Sequence, residues 1–228
     1  MTEKEELDTA QSLEEPSVEN EVVEEKTKKK KRVSDVIFYI VCALVLAFSI
    51  GFRIYWTDTY CTVTVSGASM NRTLEDGDRL LMNYKKDMTL HRGDIIVVDV
   101  SGYEECEGFA NTFLIKRLIA MEGDKVKCID GQIYIWYAGE TEYVALDEPY
   151  AYYTDKMGYD FGEYVVGEGE IFFLGDNRNN SCDSRYKQLS GSHIDELYKE
   201  EDVYGIVTQW ALDNRGFLDV FLSFSCNG

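Results

Sequence analysis

Residues 113–137, FLIKRLIAMEGDKVKCIDGQIYIWY, decide the architecture. They break into three short apolar or alternating runs, Phe113–Ile119, Lys125–Ile129 and Gln132–Tyr137. The breaks are Glu122-Gly123-Asp124 and Asp130-Gly131. Runs of this length between Gly/Asp turn signals read as strands, and Asp130-Gly131 between two of them marks a two-residue hairpin. Working outward, the same pattern recurs at Cys61–Val65, Arg79–Asn83, Asp94–Val100, Glu170–Leu174 and Val203–Trp210. Asp147 to Tyr164 is acidic and rich in Tyr, has no clean period and reads as a loop. His193–Glu200 is the one candidate for a short helix. Residues 57–228 are therefore expected to be mostly β.

Upstream the pattern changes twice. Residues 1–25 carry ten acids against Lys4 alone, with no aromatic, and read as a disordered acidic tail. Lys26, Lys28, Lys29, Lys30, Lys31 and Arg32 then form a basic cluster, followed by an apolar run from Val36 to Phe52 and the exit Arg53-Ile54-Tyr55-Trp56. As a helix at about 1.5 Å per residue, 36–56 matches the roughly 30 Å hydrocarbon core of a bilayer. The bulky exit offers no small-x-small cleavage site, so the segment reads as an anchor and not as a removable leader. Three regions follow: a cytoplasmic tail over 1–35, a transmembrane anchor over 36–56 and an extracytoplasmic domain over 57–228. The basic cluster on the N-terminal side alone sets that orientation.

Composition closes off other classes. The net charge is −19, which excludes nucleic acid as the main partner, because phosphate binding needs clustered Lys and Arg; membrane lipid is the partner expected of the anchor. Two histidines in 228 residues leave little room for a His-based metal centre or a Ser-His-Asp triad. No CxxC pair exists among the six cysteines, which disfavours a zinc knuckle. Outside a cell disulfides are permitted, and Cys106 with Cys128 could staple neighbouring strands; reduced core cysteines are the alternative.

Three stretches carry chemistry. In Gly67-Ala68-Ser69-Met70-Asn71-Arg72-Thr73-Leu74, Ser69 follows a strand among small residues, as an exposed nucleophile or a plain turn residue would. Lys116 interrupts an apolar strand. Facing solvent it would be unremarkable; facing inward its ammonium would be desolvated and its pKa lowered from about 10.4. A neutral amine can take a proton from a serine hydroxyl. Gly175-Asp176-Asn177-Arg178-Asn179-Asn180-Ser181-Cys182-Asp183-Ser184-Arg185 is a dense polar loop straight after an apolar strand.

Taken together and in order, these stretches resemble the type I signal peptidases, Ser/Lys-dyad membrane proteases. Arg92-Gly93-Asp94-Ile95-Ile96-Val97-Val98 and Lys116 to Asp124 are similar to two further family motifs, and Gly175 to Arg185 fits GDNRxxSxDSR at every fixed position. The resemblance implies a signal-peptidase-type catalytic β-domain with a small inserted β-region over about 125–170, of the compact Gram-positive type. It implies Ser69 as nucleophile, Lys116 as general base and Ser181 as the hydroxyl that orients the lysine. Asp183 and Arg185 would form a supporting ion pair, Arg117 and Arg178 would add charge behind the dyad, and Met70 would face the substrate pocket. The oxyanion would rest partly on the Ser69 backbone N–H, without the serine hydroxyl that some relatives place where this chain has Gly67. No cofactor or metal is implied. The substrates would be secretory preproteins with small residues at −1 and −3. The alternative is a relative dedicated to pilus or surface-protein assembly, with low or no peptidase activity. Two departures stand out: Arg72 replaces a family proline, and Ala120-Met121-Glu122 replaces Gly-Leu-Pro, so both loops are expected to lose rigidity.

The orientation is directly testable. Protease added outside intact spheroplasts should digest residues 57–228 and spare the first 35; protection of the C-terminal region would reverse the topology.

Overall fold

The computed structural model describes residues 18–84, 88–103, 113–154, 160–185 and 198–218. It divides into two units, Met1–Tyr55 and Trp56–Gly228. The described residues of the first lie in a single helix, α1 (Val18–Thr59). No Gly or Pro interrupts the sequence between Val18 and Gly51, which is why the helix starts inside the stretch read as disordered tail and runs on through the apolar run. The large apolar side chains from Val33 to Tyr55 are exposed, so within the protein this is not a core helix. Its apolar segment is long enough to cross a bilayer.

The second unit holds two antiparallel sheets. The larger contains β1 (Tyr60–Thr64), β2 (Arg79–Asn83), β3 (Ile95–Asp99), β4 (Phe113–Met121), β9 (Glu170–Leu174), β10 (Tyr198–Lys199) and β11 (Val203–Val207), in the order β1-β2-β11-β3-β4-β9-β10. The smaller contains β5 (Lys125–Ile129), β6 (Gln132–Trp136), β7 (Val144–Ala145) and β8 (Phe161–Val165), in the order β7-β6-β5-β8. A short helix, α2 (Gln209–Asp213), follows β11, capped by Thr208, whose side chain accepts from the Ala211 N–H.

Sequence pattern explains the placement of the strands. On β5 and β6 the residues Val126, Cys128, Ile133 and Ile135 are buried while their neighbours are partly exposed, the period-two signature of a sheet with one covered face. The hairpin between them turns on Asp130 (φ 51°) and Gly131 (φ 70°), the two positive φ values that the primed turns require. The Asp160 carboxylate accepts both turn N–H groups, at 3.0 and 2.9 Å. On β9, by contrast, all five residues are buried. Phe172 and Leu174 enter the core under the small sheet, and Ile171 and Phe173 enter a second core with Ile96, Val98 and Leu118. Covered on both faces, the strand has no need to alternate.

Strand β4 changes partner midway. It pairs with β3 over Phe113–Arg117 and with β9 over Arg117–Met121. Among the described residues no second strand pairs with 113–116, and β1 pairs only with β2. Two strand edges are thus left open, and both line one cavity.

Some expectations are revised. Strands β7 and β8 fall within the inserted β-region that the resemblance implied, but neither was read from the residues, and Phe161 to Tyr164 lies in the stretch read as loop. Tyr164 supplies the reason, a buried side chain packed 4.9 Å from the Phe172 ring, a tertiary contact invisible in a run with two Gly or Glu positions. The helix expected over His193–Glu200 lies largely outside the described residues, and its last members are β10 and the first residue of a 3-10 turn, Glu200–Asp202. Cys106 also lies outside them. Cys128 carries a free thiol in the core under the small sheet.

Burial pushes the Cys128 thiol up to about 11. At pH 8 almost none is thiolate, the reactive form. Peptide mapping after iodoacetamide treatment at pH 8 should find Cys128 unmodified in the folded chain and modified once denaturant is added; labelling at equal rates in both states would contradict this burial.

Candidate active site

The loop after β1 is closed at its base by backbone bonds. Val65 N–H donates to the Asp78 carbonyl (2.9 Å) and Gly77 N–H to that of Val65 (3.0 Å). Within it, Thr73 and Leu74 N–H groups donate to the Met70 carbonyl, at 2.9 and 2.8 Å, which forms one helical turn. Met70 and Leu74 project from that turn into the core and are fully buried. Their burial fixes the loop and leaves Ser69 half-exposed at its head.

Lys116 reaches Ser69 from the middle of β4. Its Nζ lies 2.8 Å from Ser69 Oγ and 3.0 Å from the Ile115 carbonyl oxygen, to which it donates. The residue is only 3% exposed, so water does little to stabilise its ammonium. Of the two readings open for Lys116, the structure shows the inward one. The pair opens onto a cavity of about 800 Å³, lined by the β1 edge (Cys61–Val65), by Phe113–Lys116 and by Met70, Met82 and Val97. Met70 therefore lines the cavity and is at the same time a core residue.

The polar loop after β9 holds the backbone of Ser69 and the side chain of Arg117, the residue next to Lys116. Asn177 N–H donates to the Ser69 carbonyl (2.9 Å) and its Nδ2 to that of Ala68 (2.9 Å). A β-carbon on Gly175 would fall 2.6 Å from the Ser69 carbonyl oxygen, so only glycine permits this approach. Asp176 is fully buried and accepts from Thr73 Oγ1 (2.5 Å), Arg117 Nε (2.9 Å) and Arg117 Nη2 (2.6 Å). Arg117 also donates to the Gly93 carbonyl at 2.8 Å. Asp183 and Arg185 form the expected pair with two contacts, 2.8 and 2.9 Å, and Asp183 accepts the Gly175 N–H. Arg178, 1% exposed, is paired with Glu148 and donates to the Tyr153 hydroxyl (2.9 Å) and the Gly175 carbonyl (3.1 Å).

Ser181 departs from its expected role. Its Oγ is buried without a hydrogen-bond partner and packs against Gly175, so the bond to the Lys116 amine is not formed. The Lys116 amine is instead oriented by Ser69 Oγ and the Ile115 carbonyl.

At each motif departure the loop meets a restraint from another segment. The Arg72 guanidinium stacks on the Tyr152 ring, 4.1 Å from its centroid, a lateral restraint where a proline would have supplied an internal one. In the lysine motif, Asp124 is fully buried. It accepts from Arg92 Nε (2.6 Å), Arg92 Nη2 (2.8 Å), Met121 N–H (3.0 Å) and Ala138 N–H (3.0 Å), which fixes that turn without proline.

Glu148, Tyr150, Tyr152 and Tyr153 carry no local pattern that marks them as part of the site. Asp176 and Thr73 lie within the motifs, but their sequence positions alone gave neither a role. The one available signal was the density of Tyr and acid from 147 to 153, unusual for a plain surface loop.

A buried lysine amine against a serine hydroxyl, at the head of a cleft with open strand edges, is the arrangement of a serine peptidase that uses lysine in place of histidine. Residues 33–210 match the family model described as signal peptidase, peptidase S26. The chain is 36% identical over 167 residues to a signal peptidase I of Bacillus licheniformis, covering 71% of this chain and 83% of that protein. It is 32% identical over 173 residues to a probable signal peptidase I-2 of Synechocystis, covering 72% of each. A solved structure of a signal peptidase I from Enterococcus faecalis matches 53% of this chain and 98% of that one, at 27% identity and a TM-score of 0.39. The chain belongs to the S26 signal peptidase family, and with one apolar helix ahead of its β-domain it is a single-pass membrane protein.

Asp176→Ala would leave the Arg117 charge buried without its carboxylate, a loss of about 3–5 kcal/mol. Thermal unfolding of the detergent-solubilised chain should show Tm lowered by at least ~6 °C; an unchanged Tm would mean the pair is dispensable.

Proposed function

We propose that this protein is a membrane-anchored endopeptidase that removes signal peptides from exported preproteins, with Ser69 as nucleophile and Lys116 as general base. The 2.8 Å contact between Lys116 Nζ and Ser69 Oγ, in a site where the lysine is nearly inaccessible to water, carries the reading. As a neutral amine, Lys116 takes the hydroxyl proton while Ser69 Oγ attacks the scissile carbonyl carbon. The ammonium so formed returns the proton to the leaving amine. The acyl-enzyme is then hydrolysed by water, with Lys116 again the base. The Ser69 backbone N–H lies on the nucleophile itself and would supply an oxyanion donor. Gly67 has no hydroxyl to add a second.

The substrate would lie extended between the open edges of β1 and β4, adding a strand between them. In an extended chain alternate residues share a face, so the −1 and −3 side chains would meet the same apolar wall of Met70, Met82, Val97 and Ile115. Such a wall supports a preference for small residues at both positions. The intact contact between Ser69 and Lys116 argues against a non-catalytic assembly factor. The basic cluster before the anchor supports a cytoplasmic N-terminus and a catalytic domain outside the membrane.

Ser69→Ala and Lys116→Ala should each lower kcat/KM on a preprotein by at least ~10³-fold, and the double variant should be no worse, because neither partner works alone. A Lys116→Ala enzyme with a large share of wild-type rate would overturn the assignment. At a pKa of about 10.4 only about one part in a thousand of a solvated lysine is neutral at pH 7.4, roughly 4 kcal/mol from the active form. Burial of the Lys116 side chain disfavours the ammonium. The neutral base is the active form, so kcat/KM should rise with pH along a limb whose midpoint lies well below 10. A limb at 10.4, or a flat profile from pH 6 to 9.5, would mean Lys116 is not a desolvated base.

A further inference from the structure

The segment Asp147–Thr154 touches all three motifs through one kind of contact. The Tyr150 ring lies 3.9 Å from the Arg117 guanidinium, Tyr152 lies 4.1 Å from Arg72, and Tyr153 lies 5.6 Å from Arg178. Each arginine belongs to a different motif: Arg72 sits three residues after Ser69, Arg117 adjoins Lys116, and Arg178 lies in the loop after β9. Arg178 is also 6.0 Å from the Tyr150 ring, which places that ring within reach of two cations. The backbone of the segment is tied to the same loop. Tyr152 N–H donates to the Asp176 carbonyl (2.7 Å), and the Tyr152 carbonyl accepts from the Arg178 N–H (2.9 Å). Thr154 N–H donates to Asn179 Oδ1 at 2.9 Å.

We propose that residues 147–154 form a strap that sets the Ser69-to-Lys116 geometry, with Tyr150 and Tyr152 as positioning residues acting through Arg117 and Arg72. Arginine suits the task because its guanidinium is planar, permanently charged and stacks on aromatic faces. Burial pushes the Tyr150 phenol up, away from ionisation, so the ring face is what it offers to Arg117. The nucleophile and base come from segments 47 residues apart. A misplacement of about 1 Å between such groups costs about a hundredfold in rate, whereas substrate binding in the cavity would be little affected. The strap is therefore expected to act on kcat and not on KM. Arg72 stands where the family's motif carries proline, so this stacking contact is one that the motif itself does not provide.

The inference rests on the proposed dyad, and the test separates the two. Steady-state cleavage of a preprotein is measured with the full-length protein in detergent, with Ser69→Ala as control. A control that still cleaves overturns the dyad itself. With the control inactive, Tyr150→Leu should lower kcat about tenfold or more with KM within about twofold, and Tyr150→Phe, which keeps the ring, should recover most of the loss. Tyr152→Leu and Arg72→Leu should each lower kcat about three- to fivefold, and the double variant should be no worse than either, since both remove one contact. Leu variants with wild-type kcat, a Phe variant as impaired as Leu, or losses that multiply in the double variant would each overturn the strap. If Tyr150→Leu fails to fold, the Arg72–Tyr152 cycle, which lies at the surface, decides the matter alone.

Discussion

The candidate site depends on one buried carboxylate. Asp176 has no exposure to water, and its two oxygens are used by Thr73 and by both arms of the Arg117 fork. An unpaired charge at that depth would be prohibitive, so the three groups must arrive together. Thr73 is part of the loop that carries Ser69, Arg117 adjoins Lys116, and the residues flanking Asp176 press on the backbone of Ser69. Gly175 packs beneath the Ser69 carbonyl, which Asn177 then holds by its N–H. Segments separated by 103 and 59 positions are thereby locked at one point.

The sheet around this point is incomplete by design. Arg117 is the residue at which β4 exchanges β3 for β9. Beyond it the side chains of Leu118, Ile119 and Ala120 are all buried; before it, the edge of β4 away from β3 opens onto the cavity. Lys116 sits at that boundary, packed by the sheet yet reaching the nucleophile. A lysine further along β4 would have been wholly enclosed. One nearer Phe113, which is 43% exposed, would have stayed solvated and charged.

Where this chain departs from the family's motifs, it substitutes one kind of restraint for another. Proline stiffens a loop from within by fixing φ. Arg72 instead anchors its loop to Tyr152 from the side, and Asp124 draws Arg92 and two backbone amides into the second turn. Such restraints work only when the partner segment is folded, so loop rigidity here is a tertiary property. That dependence is the physical background to the strap.

The sequence by itself determined the local features. The Asp130-Gly131 turn, the alternation on β5 and β6 and the apolar helix follow from backbone preferences and period, which act over a few neighbours. As local features Ser69 and Lys116 stayed ambiguous, a turn residue or a nucleophile, a solvated lysine or a desolvated one, and only the resemblance gave them roles. The motif order around them supplied the family. Tertiary structure alone decided the rest. Tyr164 made β8 a strand by packing on Phe172. Ser181 lies against Gly175 with its hydroxyl unpartnered, which its place in the motif did not indicate. Tyr150, Tyr152 and Tyr153 look like solvated loop residues until Arg117, Arg72 and Arg178 are placed over their rings. A stacked pair depends on where two distant segments meet, and no local pattern encodes that meeting.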